Sequence, residues 1–368
     1  MDGAFVKKDV LVLNGKIVGF EKGCCVFDDV KEYDCDGCYL VPGFIDIHTH
    51  GACGVDVNRA KAPDFEKLAA FYASKGTTSF FASVLSDSVD NTLRILDEIA
   101  RFTMIQNSGA QLLGAHLEGP FLSKEKKGAM PEKYLKAADI ELFEQYASSA
   151  VAKYITIAPE IEGALDLIPP ASKKMVVGIG HSAADYDTTV KAIEGGTKIA
   201  THTFNGMRGL DRVEPAILGA VLEEDIYTEV IADGRHVHPA NVHLLYRLKG
   251  NKRIIAITDS IEAAGLADGQ YHLGDNSVTL QGEDAFISGT DTRAGSVLSM
   301  DKALHNMMRF LNIPLETALP MFTENPADVF KLNKGYMRIG YDADLLVLDK
   351  NYTLLHTFVG GKAVFSAQ

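Results

Sequence analysis

Imidazole and carboxylate side chains recur in this chain directly after short apolar runs. His48-Thr49-His50 follows the first run, and six of the 11 His lie in such positions. A single His or Glu at the end of a strand is usually a hydrogen-bonding or helix-capping residue. The recurrence, rather than any one residue, therefore indicates a shared metal site. The residues placed in this way are His48, His50, Glu118, His181, His202, His236, His238 and Asp259.

His48 and His50 have the spacing of a ligand pair, because alternate side chains of an extended segment point to the same side. Imidazole and carboxylate ligands favour Zn²⁺, with Fe²⁺, Co²⁺ and Mn²⁺ as alternatives. A water bound at an open coordination position has its pKa lowered toward ~7 and becomes a nucleophile. Asp259 is the candidate that takes a proton from this water and passes it to a leaving amine. The residues predict metal-assisted hydrolysis of an amide-like or ester-like bond, with one or two ions bound.

Eight apolar runs, most of them separated by helical patterns, must position these residues. Repeated alternation of buried strands and helices predicts an α/β fold with a TIM-like (β/α)8 barrel. All strand C-termini of such a barrel open onto one face, so residues as distant as His48 and Asp259 would converge. An open, doubly wound sheet is the alternative, although no Gly-rich dinucleotide loop follows the first run. The runs are 44–47, 77–84, 112–117, 154–158, 175–179, 199–203, 227–232 and 254–258, and helical patterns include 64–74, 91–101, 184–194 and 239–248.

Both ends of the chain have the pattern of short strands. Asn14-Gly15 lies between two apolar alternations and predicts a hairpin. We therefore expect a small β-sandwich domain built from residues 1–42 and 335–368, with the barrel spanning 43–334. The strands predicted for it are 5–6, 9–13, 16–20, 39–41, 343–348, 354–359 and 363–365.

The composition of the chain disfavours several classes of partner and location. The chain has 36 Lys and Arg against 49 Asp and Glu, a net charge of −13, which disfavours nucleic acid and anionic membranes as partners. No apolar run approaches the ~18 residues of a membrane span, and Met1 to Asp9 lacks a signal-peptide pattern. The five cysteines, which we interpret as reduced thiols of a cytoplasmic protein, are Cys24, Cys25, Cys35, Cys38 and Cys53.

Several motifs resemble known families. Residues 42–51, Pro-Gly-Phe-Ile-Asp-Ile-His-Thr-His-Gly, resemble the first-strand signature of the amidohydrolase superfamily, and 340–348 resemble its closing segment. A narrower set, found in order along the chain, is similar to the N-acetylglucosamine-6-phosphate deacetylases: 116–121, 180–182, 201–207, 232–237, 258–260 and 295–300.

This resemblance implies a barrel with a small β-sandwich, and hydrolysis of N-acetylglucosamine 6-phosphate to glucosamine 6-phosphate and acetate. It implies homodimers in which the partner subunit reaches toward the substrate phosphate. It also implies that Glu118, His181 and His202 hold the main metal and that Asp259 is the catalytic acid and base. The substrate contacts that it implies are Ala129, Asn205, Gly206, His236, Arg293, Ala294 and Gly295.

The metal ligands show two departures from related patterns. Some relatives lack the first-strand His pair and use one metal, whereas this chain keeps His48 and His50, which allows a second ion with Glu118 as a bridge. Many amidohydrolases bridge two metals with a carbamylated Lys after the fourth strand. Residues 158–160, Ala-Pro-Glu, offer no Lys there, which disfavours the dihydroorotase-like and urease-like branches.

The phosphate contact also departs from the family pattern. Val213 replaces the Arg that usually precedes Glu-Pro. We predict that Arg212 takes its place, because an Arg fork donates parallel hydrogen bonds to phosphate. Arg208 and Arg235 are the next candidates.

Three alternative functions stay open on sequence grounds. The galactosamine substrate differs in the orientation of one hydroxyl, which loop geometry decides. A metal-binding scaffold of the same fold would have no need of Asp259. An uncharged N-acyl substrate is compatible with Val213.

Overall fold

The computed structural model describes residues 5–21 and 31–367. Numbered along the chain, its strands are β1 (Asp9–Leu13), β2 (Lys16–Glu21), β3 (Tyr39–Pro42), β4 (Phe44–Thr49), β5 (Gly51–Ala52), β6 (Val55–Asp56), β7 (Thr77–Leu85), β8 (Gln111–Glu118), β9 (Ala152–Ile157), β10 (Val176–Ile179), β11 (Ile199–Ala200), β12 (Tyr227–Ile231), β13 (Ile254–Ile257), β14 (Gly269–Leu273), β15 (Asn276–Gln281), β16 (Asp284–Ile287), β17 (Leu345–Leu348), β18 (Leu354–Val359) and β19 (Lys362–Ser366).

The helices lie mostly between barrel strands. They are α1 (Asp64–Ala73), α2 (Val89–Ile105), α3 (Ile140–Ala147), α4 (Ala164–Ala171), α5 (Tyr186–Glu194), α6 (Ala216–Glu223), α7 (Pro239–Lys249), α8 (Met300–Leu311), α9 (Leu315–Ala318) and α10 (Glu324–Val329), with short 3₁₀ turns at Glu132–Tyr134, Gly250–Lys252 and Leu319–Met321. None of the helices within residues 5–21 and 31–367 has the length and apolar character of a membrane span.

The predicted (β/α)8 barrel is confirmed. Each of the eight apolar runs overlaps a strand, and these strands form one parallel sheet in the order β13-β12-β11-β10-β9-β8-β7-β4. The two outer strands of this order are tied together just beyond β13. There, Asp259 N donates to His48 O at 2.8 Å and His50 N donates to Ser260 O at 2.7 Å. The barrel therefore closes at the same end that carries the predicted metal ligands.

Both termini contribute to a small β unit, as predicted. A four-stranded antiparallel sheet has the order β19-β18-β17-β3, and β1 pairs with β2. Asn14 and Gly15 have φ of 49° and 76°, the left-handed values that the predicted tight hairpin requires. The hairpin is joined to the C-terminal segment, because Ala343 N donates to Gly15 O at 2.8 Å. We retain 42/43 and 334/335 as proposed domain boundaries, since Gly43 alone separates β3 from β4.

Two details differ from the sequence prediction. The strand predicted at residues 5–6 is wrong: residues 5–8 are irregular, and Phe5 and Val6 are 42% and 58% exposed. A pair of apolar residues is too short to define a strand without a neighbour to pair with. The sheet β14-β15-β16 was not predicted, although its buried Leu273, Val278 and Leu280 pack in one cluster with loop residues of the barrel's C-terminal end.

A buried ion-pair network holds the segment between the barrel and the terminal sheet. Lys334 Nζ lies 2.6 Å from Asp344 Oδ2 and 2.9 Å from Asp342 Oδ2. Burial by itself lowers the pKa of Lys334, but the two carboxylates reverse this effect and raise it. Asp344 also accepts a hydrogen bond from Gly360 N at 2.8 Å. Removing Lys334 would therefore leave a buried carboxylate with little compensation.

We expect Lys334→Met to lower the free energy of unfolding by about 3–5 kcal/mol, as for other broken buried pairs. Urea unfolding measures the change. The control is Lys174→Met, whose partner Glu144 is nearly half exposed like Lys174 itself. We expect that change to cost at most about 1 kcal/mol. Equal losses in the two variants would contradict a special role for the buried network.

Candidate metal centre

The C-terminal ends of five barrel strands bring six predicted residues together. Glu118 is the last residue of β8, and His48 lies near the end of β4. The other four follow strands: His50 after β4, His181 after β10, His202 after β11 and Asp259 after β13. All six residues are buried. The strand ends thus create one enclosed cluster from residues spread over most of the barrel sequence.

One oxygen of Glu118 faces two imidazoles. Glu118 Oε1 lies 3.1 Å from His181 Nε2 and 2.9 Å from His202 Nε2, and the two Nε2 atoms lie 3.0 Å apart. These three residues form a group whose ligand atoms could surround one ion. We call Glu118, His181 and His202 the first group.

The other Glu118 oxygen faces the first-strand histidines. Glu118 Oε2 lies 3.0 Å from His50 Nε2, which is 3.3 Å from His48 Nε2. Asp259 Oδ1 lies 3.3 Å from His50 Nε2 and 3.5 Å from His48 Nε2. His48, His50 and Glu118 form the second group that could hold an ion. Glu118 belongs to both groups, so its position is that of a bridge.

The hydrogen bonds behind these imidazoles indicate that the cluster fits a cation. His181 Nδ1 lies 2.8 Å from Lys126 O, and His50 Nδ1 lies 3.1 Å from Ser83 O. A carbonyl oxygen only accepts, so both Nδ1 atoms carry protons. In the neutral imidazoles, each Nε2 lone pair then faces a Glu118 oxygen that also carries lone pairs. A metal ion between these atoms, or additional protons on them, must offset the repulsion between the facing lone pairs.

The pKa shifts within the cluster also indicate that it favours a cation. Burial by itself lowers the pKa of His50, but Asp259 and Glu118 raise it to about 9. Burial raises the pKa of Glu118, whereas the neighbouring imidazoles of His48, His181 and His202 bring it well below its usual range. Buried carboxylates thus create a negative potential that favours positive charge at this point. Imidazole with carboxylate is also a donor set that suits Zn²⁺.

Three of these residues have backbone conformations that L-amino acids rarely adopt. His181, His202 and Asp259 have φ of 47°, 28° and 50°. Strained backbone of this kind persists where the surrounding structure holds it, and it concentrates at functional sites. For Asp259, the bonds that hold it are Asp259 N to His48 O and Ser296 N to Asp259 O, both 2.8 Å long.

Three of the predicted substrate-contact residues adjoin this cluster. A Cβ on Gly206 would lie 3.0 Å from His181 Nδ1, and one on Gly295 would lie 2.8 Å from Asp259 O. Both glycines have positive φ, 60° and 56°, so their close approach needs glycine. Asn205 N donates to His202 O at 2.9 Å.

The structure also places the remaining predicted contacts. Ala129 lies one residue from Gly128, whose Cβ would approach His181 Cε1 to 3.4 Å. Ala294 N donates to Ala285 O at 3.0 Å, so this turn is fixed by the sheet β14-β15-β16. His236 Nδ1 donates to Asp233 Oδ2 at 2.6 Å, which orients its ring.

Four other polar residues of the predicted set are exposed or have charged partners of their own. His238 is exposed and caps α7 by accepting a hydrogen bond from Ala240 N, so its predicted convergence on the cavity is wrong. Its apparent strand-end position is a helix-capping position. Arg235 and Arg293 both pair with Asp284, at 2.5 and 2.7 Å. Arg212 is exposed.

Three buried polar residues beneath the cluster were not predicted from the sequence. Asp46 accepts from Thr258 Oγ1 at 2.6 Å and from His48 N at 3.2 Å, and burial raises its pKa to about 6. His116 lies between Ser83 Oγ and Thr156 Oγ1. Glu229 accepts from His48 Nδ1 at 3.0 Å. Each lies within an apolar strand, and a charged or imidazole residue inside such a run was the available signal.

A (β/α)8 barrel with a carboxylate and imidazole cluster at its C-terminal face defines the class of metal-dependent barrel hydrolases. The amidohydrolase family model matches residues 39–364. An N-acetylglucosamine-6-phosphate deacetylase of Caenorhabditis elegans is 34% identical, covering 100% of this chain and 92% of the relative. One of Bacillus subtilis is also 34% identical, covering 89% of this chain and 84% of the relative. The chain therefore belongs to the amidohydrolase family.

Solved structures agree with these relatives. The N-acetylglucosamine-6-phosphate deacetylase of Pasteurella multocida superposes with a TM-score of 0.92 at 29% identity, covering 99% of this chain and 96% of that one. The enzyme of that name from Mycobacterium smegmatis, solved as a variant in complex with N-acetyl-D-glucosamine-6-phosphate, superposes with a TM-score of 0.90. It is 29% identical and covers 97% of this chain and 94% of that chain.

We expect Glu118→Gln to lose bound metal, because a neutral amide is a poorer ligand than a carboxylate and both groups share this residue. Elemental analysis after dialysis against metal-free buffer gives the metal bound per chain. Glu144→Gln, a change of the same kind on the exposed face of α3, should leave the metal content unchanged. Full occupancy of the Glu118 variant at wild-type affinity would remove Glu118 from the metal centre.

Proposed function

We propose that this protein removes the N-acetyl group of N-acetylglucosamine 6-phosphate, giving glucosamine 6-phosphate and acetate. The observation that carries the proposal is the enclosed cluster of Glu118, His181 and His202 with Asp259 beside it. Relatives and solved structures that match nearly the whole chain bear the name of this activity. A buried carboxylate beside a metal cluster is the arrangement that amide hydrolysis needs.

We assign the main metal to the first group and a second, weaker ion to the second group. Zn²⁺ fits the imidazole and carboxylate ligands best, with Fe²⁺, Co²⁺ or Mn²⁺ as substitutes. A divalent ion here supplies Lewis acidity toward the acetyl carbonyl and lowers the pKa of a water nucleophile. Glu160, in the segment where other branches carry a bridging Lys, accepts from Ser182 Oγ at 2.7 Å and Ala183 N at 2.6 Å. These bonds give it a structural role in holding the loop of His181.

Asp259 moves the proton in this proposal. Its Oδ1 accepts a proton from the attacking water as the new C–O bond forms at the acetyl carbon. The same oxygen then delivers the proton to the sugar nitrogen as the C–N bond breaks, so that acetate and an amine leave. Burial raises the pKa of Asp259, but His48 and His50 outweigh it and lower the pKa.

The substrate is held, in this proposal, by the loops that surround the cluster. Gly206 approaches from the His181 side, Asn205 from the His202 side and Gly295 from the Asp259 side. Because Asp233 holds the Nδ1 proton of His236, its Nε2 is left to interact with the sugar. Ala129, Arg293 and Ala294 complete the contacts that we propose.

The phosphate requires local positive charge on an acidic protein. Arg235 and Arg293 already share the carboxylate of Asp284, whereas Arg212 extends from an exposed loop. We assign the phosphate to Arg212. In the same loop, Leu210 and Val213 are 54% and 73% exposed, apolar surface that a second subunit would cover. This supports a homodimer in which Arg212 reaches the partner's substrate.

We place the enzyme in the cytoplasm. Cys35, Cys38 and Cys53 are free thiols, as expected in a reducing compartment. Cys24 and Cys25 lie outside the described residues.

Acetate release from a substrate panel tests the function. We expect turnover of N-acetylglucosamine 6-phosphate above that of N-acetylgalactosamine 6-phosphate, unphosphorylated N-acetylglucosamine and an N-acyl amino acid.

Asp259→Asn should lower kcat by roughly 10²–10⁴-fold, because an amide cannot shuttle a proton, while keeping the first-group metal. A rate within threefold of wild type would refute the acid–base role, and equal use of all four compounds would refute the substrate assignment.

We expect Arg212→Ala to raise KM for the 6-phosphate substrate much more than it lowers kcat. It should leave any slow activity on unphosphorylated N-acetylglucosamine unchanged, because only the phosphate contact is lost. Arg101→Ala, on the outer helix α2, is the matched control. If both substrates suffer equally, Arg212 is structural, and Arg208 and Arg235 become the residues to vary next.

A further inference from the structure

Glu229 is a buried carboxylate that the proposed reaction does not use. It lies in β12, inside the barrel, and is 0% exposed. Three groups surround its oxygens at 3.0 Å: His48 Nδ1 and His202 N at Oε2, and Tyr154 Oη at Oε1. A carboxylate in such a place is costly unless donors compensate it. Two of its three donors belong to residues of the metal groups.

The first of these contacts sets the tautomer of His48. A carboxylate oxygen accepts hydrogen bonds, so the proton of the neutral imidazole lies on Nδ1. The lone pair of His48 is therefore on Nε2, the atom that faces His50 Nε2 and Asp259 Oδ1 at 3.3 and 3.5 Å. With the other tautomer, an N–H would point into the second group and prevent His48 from binding a metal.

The second contact holds the backbone of a first-group ligand. His202 has φ of 28°, far from ordinary backbone values. Its N–H donates to Glu229 Oε2, the same oxygen that accepts from His48 Nδ1. In addition, Thr203 N donates to the backbone oxygen of Glu229 at 2.9 Å. One oxygen atom thus touches a residue of each metal group.

We propose that Glu229 is a positioning residue that links the two metal groups and makes the second one able to bind its ion. It fixes His48 in the ligating tautomer and orients His202 from beneath. The inference rests on the proposed function in taking the second group as a metal site. The proposal predicts that metal binding by the two groups depends on Glu229 to different degrees. The second group needs Glu229 to keep the His48 proton on Nδ1. The first group keeps the side chains of Glu118 and His181 without it.

The experiment is a Co²⁺ titration of metal-free protein, followed by visible absorption, with elemental analysis of the ions bound. Wild type should bind two ions. Glu229→Met, which has no carboxylate, should weaken the second ion by about 10–100-fold or more, as loss of residues behind metal-binding imidazoles does. Glu229→Gln, which retains an acceptor oxygen but no charge, should fall between Met and wild type.

Two further variants separate positioning from general damage. Tyr154→Phe removes the donor at the other carboxylate oxygen and should bind both ions as wild type does. His48→Gln removes the second-group ligand itself and should match Glu229→Met in stoichiometry. Thermal unfolding of each metal-free variant reports its folding.

Several results would overturn the inference. Tight binding of the second ion by Glu229→Met would do so, as would equal weakening of both ions. A wild-type protein that binds one ion also overturns it, while acetate release still decides the proposed function separately. Should Glu229→Met fail to fold, ¹⁵N NMR of the zinc-loaded wild type reads the His48 tautomer directly, with His48→Gln as the assignment control. A proton on Nε2 of His48 would refute the proposal.

Discussion

The Glu118 carboxylate is the centre on which the other features of the active face depend. Its two oxygens lie among four imidazoles in a fully buried place, where an isolated charge would be prohibitively unfavourable. Positive charge must therefore be supplied locally, by a metal ion or by protonated imidazoles. The hydrogen bonds of His181 and His50 to backbone carbonyls leave their Nε2 lone pairs toward Glu118, which favours the metal ion.

The barrel supplies the geometry that this centre requires. Glu118 is fixed at the end of β8, while His181, His202 and Asp259 adopt left-handed backbone just beyond three other strands. Hydrogen bonds across the junction of β4 and β13 hold Asp259 against the first-strand histidines. Beneath the metal groups, Asp46 and Glu229 accept hydrogen bonds from residues of the same face. Buried polar residues inside the barrel thus hold the strained backbone at its C-terminal end.

The two sheets outside the barrel, the terminal sheet and β14-β15-β16, make different contacts. The terminal sheet joins residues from both ends of the chain through backbone bonds and the buried Lys334 network. The sheet β14-β15-β16 carries Asp284, which forms ion pairs with both Arg235 and Arg293. Arg235 and Arg293 thus already have a carboxylate partner, whereas Arg212 is exposed.

The sequence alone was sufficient to predict the barrel strands, the metal cluster and the first hairpin. The eight apolar runs specify the strands, and polar residues directly after them indicate the metal cluster, because the C-termini of parallel strands meet on one face. Asn14-Gly15 specifies its turn through local backbone preference. The structure decided what depends on distant contacts. His238 caps a helix instead of joining the cluster, a choice that periodicity cannot reveal. Glu229 and Asp46 interrupt apolar strands, and no local pattern marks them as functional. The groups that contact the Glu229 carboxylate, and Thr258 Oγ1 at Asp46, come from distant parts of the chain and meet these residues only when the barrel closes.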